Sequence, residues 1–115
     1  MKDLVVLKGQ KAVTTSLRVA EVFRKRHDNV LEAIRGLLKN KGTQQMFEES
    51  SYINPQNKQE YPMFYMNRDG YTLLAMGFNG KRALSFKLKY IEAFNEMEKF
   101  IKQRNAISID SGLEH

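Results

Sequence analysis

Cysteine is absent from this 115-residue chain, and its histidines are two, His27 and His115. Without thiols there is no disulfide framework and no thiolate metal site. One internal imidazole with no cysteine cannot build a transition-metal site of the usual kind. No run of about 18 apolar residues occurs, so nothing reads as a membrane span. The opening MKDLVVLKGQ has neither the longer apolar stretch nor the small-residue cleavage site of a signal peptide. A glycine-rich phosphate loop is missing too, because the segment from Gly77 to Gly80 lacks the preceding strand and the lysine spacing. A nucleophilic triad could draw on Ser16, His27 and Asp28, but Asp28 follows His27 directly and is wanted as a helix cap. These absences point away from an enzyme, a cofactor-binding protein or a metalloprotein, and toward a cytoplasmic one.

What remains is ordinary in amount and informative in distribution. Hydrophobic residues make up 42% and charged residues 28%, as in a soluble globular domain, and the length suits one domain. The final Leu113-Glu114-His115 resembles a purification-tag remnant. The expected layout is therefore one domain over residues 1–105, a flexible tail over 106–112 and the tag remnant over 113–115. The net charge is +6, which raises the expectation of a polyanionic partner, above all nucleic acid.

Patterning predicts α+β architecture. Leu4 to Leu7 and Ala12 to Thr14 flank Gly9-Gln10 as a short N-terminal hairpin. Thr15 or Ser16 can cap a helix from Leu17 to Lys25, with Leu17, Ala20 and Phe23 on one face. After the basic turn Arg24-Lys25-Arg26-His27, Asp28 is the expected N-cap of a second helix running to about Lys39. Its buried side would be Val30, Leu31, Ile34, Leu37 and Leu38, and its outer side Asn29, Glu32, Arg35, Gly36 and Lys39. Residues 43–50 carry no clear pattern beyond the inward tendency of Met46 and Phe47. Residues 51–54 and 61–66 read as a hairpin around a polar tip, Pro55 to Glu60. The cluster Asn67-Arg68-Asp69-Gly70 can cap a third helix over Tyr71 to Gly77. Asn79-Gly80 breaks it, and a long fourth helix is expected from Lys81 to Arg104. Two short helices joined by a tight turn and followed by a hairpin give the order of a winged helix-turn-helix-like single domain.

The helix pair is the strongest candidate site. Residues 16–41 hold seven lysines and arginines against three acids. Arg24, Lys25 and Arg26 stand just before the second helix, where phosphates lie in a helix-turn-helix complex. Asn29 can bond an adenine edge and Arg35 a guanine edge, with Glu32 and Lys39 on the same exposed side. The competing reading is a solvated face of an ordinary amphipathic helix. His27 could order the turn or touch DNA, and Lys58 at the hairpin tip could act as a wing contact. Tyr52, Tyr61, Phe64 and Tyr65 read as core rather than base-stacking residues. On the fourth helix, Ile91, Phe94, Met97 and Ile101 form an expected dimer interface, with Leu84, Leu88 and Tyr90 turned toward the domain. The alternative is that this stripe packs on the N-terminal hairpin.

The residue strings themselves resemble a known family. The early part is Thr15-Ser16-Leu17, Val19-Ala20-Glu21, then Lys25 through Leu31 and Ile34. The later part is Tyr65 through Phe78, followed by Gly80-Lys81, Phe86-Lys87-Leu88-Lys89, Tyr90-Ile91 and Ala93-Phe94-Asn95. These resemble the Rha family of phage regulatory proteins, and the late block is more loosely similar to the N-terminal domains of phage antirepressors. The resemblance implies a temperate-phage or prophage transcription regulator, acting in the bacterial cytoplasm on double-stranded DNA or on a phage or host repressor protein. Glu32-Ala33 and Arg24 depart from the family pattern, and both lie on or beside the expected reading face.

Overall fold

Thr15 ends a strand and starts a helix in one step. Its backbone is extended while its hydroxyl accepts the Arg18 N–H at 3.1 Å, satisfying a first-turn donor that has no intrahelical partner. The computed structural model describes residues 3–113, with side chains described through residue 105. Its strands are β1 (Val6–Lys8), β2 (Lys11–Thr15), β3 (Phe47–Ile53) and β4 (Glu60–Met66). Its helices are α1 (Ser16–Phe23), α2 (His27–Leu37), α3 (Arg68–Ala75) and α4 (Lys81–Leu113), with a 3-10 helix at Lys41–Met46. Among the described residues no helix is long and apolar enough to cross a membrane. The expected tail over 106–112 and tag remnant over 113–115 fall outside the fully described residues.

The two hairpins do not stand apart. They join into one antiparallel sheet of order β1-β2-β4-β3, because Thr14 pairs with Met66 and Thr15 with Tyr65. The β2 contact covers only the end of β4, so Pro62 pairs across to Ser51 on one side and asks for no hydrogen bond on the other. β3 starts at Phe47, several residues before the strand expected at 51–54. Phe47, buried opposite Met66, anchors that early start.

The cap chemistry corrects two helix boundaries. α2 begins at His27, with Arg26 in the cap position and no side-chain cap bond. Asp28 is inside the first turn instead, where its carboxylate accepts from the Arg26 guanidinium at 2.8 Å and from the Asn29 N–H at 2.9 Å. The helix ends at Leu37 rather than Lys39, and the Leu37 carbonyl accepts from the buried Thr43 hydroxyl at 2.6 Å and from the Asn40 N–H at 3.1 Å. α3 starts earlier than expected, at Arg68, because the Asn67 side chain accepts the Gly70 N–H at 2.9 Å. Gly70 is fixed by close approach, since a Cβ there would meet the Met46 carbonyl oxygen at 2.8 Å.

The core is aromatic. Phe23, Tyr71, Phe78, Tyr90 and Phe94 are buried together, with Tyr71 and Tyr90 stacked at 4.4 Å. The Tyr90 hydroxyl meets Thr14 Oγ1 at 3.2 Å, and Thr14 donates onward to the Leu4 carbonyl at 2.7 Å. Tyr90 therefore donates to Thr14, and burial pushes its phenol up to about 12. Among the described residues the neighbouring Tyr71 hydroxyl is buried without a partner, and burial raises its pKa well above the ordinary value. An unpaired buried hydroxyl costs roughly 1–3 kcal/mol. Tyr71→Phe should therefore stabilise the domain by about 1 kcal/mol in urea denaturation. A lower unfolding midpoint would show that the hydroxyl has a partner after all.

The faces of α4 are the largest correction. Tyr90 and Phe94 are fully buried, Ala83 is buried, and Phe86, Ala93 and Met97 pack on the core. Leu84, Leu88 and Ile91 are exposed by 65%, 51% and 44%. Leu84 and Leu88 thus face outward and Phe94 inward, the reverse of expectation. The large aromatic rings claim the interior, because they bury the most area per residue.

Candidate nucleic-acid interface

The turn between α1 and α2 is made by three cations. Arg24 takes the left-handed conformation at φ 56° and ψ 47°, a slot that glycine usually fills at a helix C-terminus. This lets the Lys25 N–H close on the Ala20 carbonyl at 2.9 Å and points the chain into α2. Arg24, Lys25 and Arg26 are all exposed. Lys25 Nζ lies 4.9 Å over the Phe78 ring, and Arg26 holds Asp28 across a solvent-exposed pair. The α1 face differs from the expected one: Ser16, Val19, Ala20 and Phe23 are buried, and Leu17 is half-buried.

α2 buries Val30, Leu31 and Ile34 and leaves Asn29, Glu32, Ala33, Arg35 and Gly36 exposed. Lys39 is exposed just beyond its end. Among the described residues, Glu32, Arg35 and Lys39 have no ion-pair partner. Ala33 and Gly36 keep the outer face slim, and a Cβ at Gly36 would meet nothing within 4 Å. The structure thus brings Asn29, Glu32 and Arg35 to one open surface with the cationic turn at its N-terminal end.

His27 has a structural partner. Its Nε2 is 2.8 Å from the Ser16 hydroxyl, which is fully buried and accepts the Phe64 N–H at 3.0 Å. One hydroxyl therefore ties α1, α2 and β4 together, and the His27 ring also meets Tyr52 of β3 edge-on at 5.9 Å. The residues of a would-be triad do not assemble. Ser16 and His27 touch, but Ser16 is sealed and Asp28 turns to Arg26 and the Asn29 amide. Sequence reading treats Ser16 as a cap or nucleophile and misses this link. Counting back from Phe23 through Ala20 and Val19 in helical steps places Ser16 on the buried face.

Burial lowers the His27 pKa below 6.5, and the Asp28 charge only partly opposes this. The neutral ring is thus favoured in the fold. Between the lowered value and 6.5 the unfolded chain binds the extra proton, so stability falls as pH drops through that window. Urea midpoints at pH 7.5 and 5.5 should fall further in the parent than in His27→Gln, which keeps a polar atom toward Ser16 but does not titrate. Equal falls would remove His27 as the cause.

The β3–β4 tip is ordered by its own side chains. Asn54 accepts the Gln56 N–H at 2.8 Å, Asn57 accepts the Gln59 N–H at 2.9 Å, and Asn57 donates to the Tyr61 hydroxyl at 2.8 Å. Lys58 sits at φ 61° and is exposed. Of the aromatics expected in the core, Phe64 is buried while Tyr52, Tyr61 and Tyr65 are half-buried. Of the expected dimer residues, Ile91 is exposed, Met97 and Ile101 are half-buried, and Phe94 belongs to the core.

The family model for the phage regulatory protein Rha matches residues 14–99, which includes the helix pair, β3, β4, α3 and most of α4's described part. The chain belongs to the Rha family. An uncharacterized protein of Haemophilus influenzae is 36% identical over 98 residues, covering 82% of this chain and 56% of its own length. An uncharacterized 22.8 kDa protein encoded between gp15 and gp3 of Salmonella phage P22 is 33% identical, covering 95% of this chain and 60% of that protein. The SPbeta prophage-derived protein YoqD of Bacillus subtilis, named a candidate antirepressor, is 30% identical over 96% of this chain and 45% of its own length. This Rha-family chain therefore spans about half the length of the curated relatives it matches. No solved structure matches it.

Proposed function

We propose that this Rha-family chain is a phage or prophage transcription regulator that binds duplex DNA through α1 and α2, used as a helix-turn-helix with β3–β4 as its wing. The observation that carries the reading is the open face of α2. Asn29, Glu32 and Arg35 project from it, Ala33 and Gly36 keep it slim, and Arg24 to Arg26 precede its first turn. A helix that enters the major groove needs forked polar side chains for base edges and cations for the flanking phosphates. Lys39 and Lys58 extend the cationic edge, and His27 contributes by setting the angle of α2 rather than by contact.

Selection from random duplexes followed by gel retardation tests this. Binding should weaken linearly in log–log salt plots, since each neutralised phosphate releases counterions. Asn29→Ala or Arg35→Ala should cost about 1–3 kcal/mol at the preferred site and blur its sequence. No retention of any duplex at low salt would overturn the proposal.

A second surface favours a protein partner. Leu84, Leu88 and Ile91 form an exposed apolar stripe along α4, and Met76, just past the end of α3, is 71% exposed. A second copy of the chain is the occupant we favour, because a homodimer would double the DNA site. An antirepressor-type capture of a repressor protein would use the same stripe without DNA. Light scattering separates them: a monomer at micromolar concentration rejects the dimer.

A further inference from the structure

We infer that a second phosphate-binding cleft lies where the α1–α2 turn meets the start of α4, formed by Arg24 and Lys25 on one side and Lys81 and Arg82 on the other. It rests on the DNA-binding reading and extends the surface beyond the helix pair. The cleft has a volume of about 260 Å³, and Phe78 and Phe86 contribute to its lining. The four cations come from opposite halves of the chain, so the fold itself brings them together. No carboxylate lines the cleft. None of the four is in an ion pair among the described residues, and the Glu21 carboxylate, one turn back in α1, is bonded by Arg18.

The placement of Lys81 and Arg82 is the second observation. They are the first two residues of α4, and its first turn holds no acid. A helix N-terminus carries the positive end of the dipole, so cations are disfavoured there and acids are the usual occupants. Convergence with Arg24 and Lys25 adds like-charge repulsion among four exposed cations. Apart from Lys25 over the Phe78 ring, the free protein shows no contact that offsets this arrangement among the described residues. A bound anion reverses every sign at once, since the four cations and the first amides of α4 would all attract it.

The occupant that fits is the phosphodiester backbone of duplex DNA. The cleft shares Arg24 and Lys25 with the turn that leads into α2, so a backbone seated in it continues past Arg26 toward the α2 N-terminus. The contact is sequence-independent, because phosphates position a protein while base edges specify the site.

The test compares Lys81→Gln/Arg82→Gln with the parent protein on the preferred duplex and on an unrelated one, across a salt series. Two lost phosphate contacts should make the log K against log salt slope shallower by about 1.8. Affinity should fall at least roughly tenfold on both duplexes alike, with base preference retained. The double variant should also melt at a higher temperature than the parent, because two cations leave the wrong end of a helix. An unchanged slope and affinity, in a parent that does bind DNA and whose preference Asn29→Ala blurs, would overturn the cleft while leaving the helix-turn-helix reading intact. A parent that binds no duplex at low salt would overturn both. Loss of base preference in the double variant would also overturn it, by making the contact one of specificity.

Discussion

Phe94→Glu should unfold the domain rather than split a dimer. Phe94 is 1% exposed, its ring is 5.7 Å from Tyr71 and 6.4 Å from Tyr90, and the Arg68 guanidinium covers it at 5.6 Å. Losing a buried phenylalanine costs about 3–5 kcal/mol through lost transfer energy and the cavity left behind. A buried carboxylate adds its desolvation. Arg68 could offset this only by leaving Glu98, which it already holds through two bonds of 3.0 Å. Domains of this size are stable by about 5–15 kcal/mol, so the change takes much of the total. Circular dichroism should show a thermal transition lost or displaced far downward. Leu88→Glu is the matched control: at 51% exposure it should change stability by only about 0.5 kcal/mol while charging the outer stripe. If Phe94→Glu melts like the parent, the ring is not in the core.

That contrast marks where the sequence stops being legible. The order of elements could be read because each is punctuated locally: Thr15 and Asn67 as caps, Gly9-Gln10 and Asn79-Gly80 as breaks, alternating apolar residues on the strands. The face of α4 could not. Leu84, Leu88 and Ile91 follow helical spacing, and so do Phe86, Tyr90, Phe94 and Met97, about 130° around the helix. Periodicity alone does not choose between two apolar stripes. Ring volume does, and so does the polar handle of Tyr90, which finds Thr14 in a strand far away in sequence. Nonlocal pairing hides the rest. The joining of the hairpins through Thr14–Met66 and Thr15–Tyr65, and the Ser16 link between His27 and Phe64, depend on chain segments that no local window contains. Asp28 shows the limit of cap statistics. It is a good capping residue two positions too late, drawn instead to Arg26.

The candidate interface was legible because its residues are consecutive or helically spaced, and that makes its charge separable from its fold. Arg24→Gly/Lys25→Gln/Arg26→Gln should leave a folded protein that has lost most of its DNA affinity. Glycine is the right replacement for Arg24, since at φ 56° a Cβ carries strain and removing it should return about 1 kcal/mol. Lys25 gives up its position over the Phe78 ring, worth about 0.5–1 kcal/mol at an exposed site. The Arg26–Asp28 pair is 79% and 62% exposed, and exposed pairs of that kind contribute little. These changes nearly cancel, so the unfolding midpoint should stay close to that of the parent. Binding should not. Three lost phosphate contacts make the salt slope shallower by about 2.7 and reduce affinity by roughly 10²–10³-fold near 0.1 M salt. The loss should be uniform across sequences, unlike the selective loss expected for Asn29→Ala, because phosphate contacts carry no base information. Fluorescence anisotropy on the preferred and on an unrelated duplex reads both quantities. A triple variant that folds and keeps the parent's slope would move the DNA-binding surface away from this turn altogether.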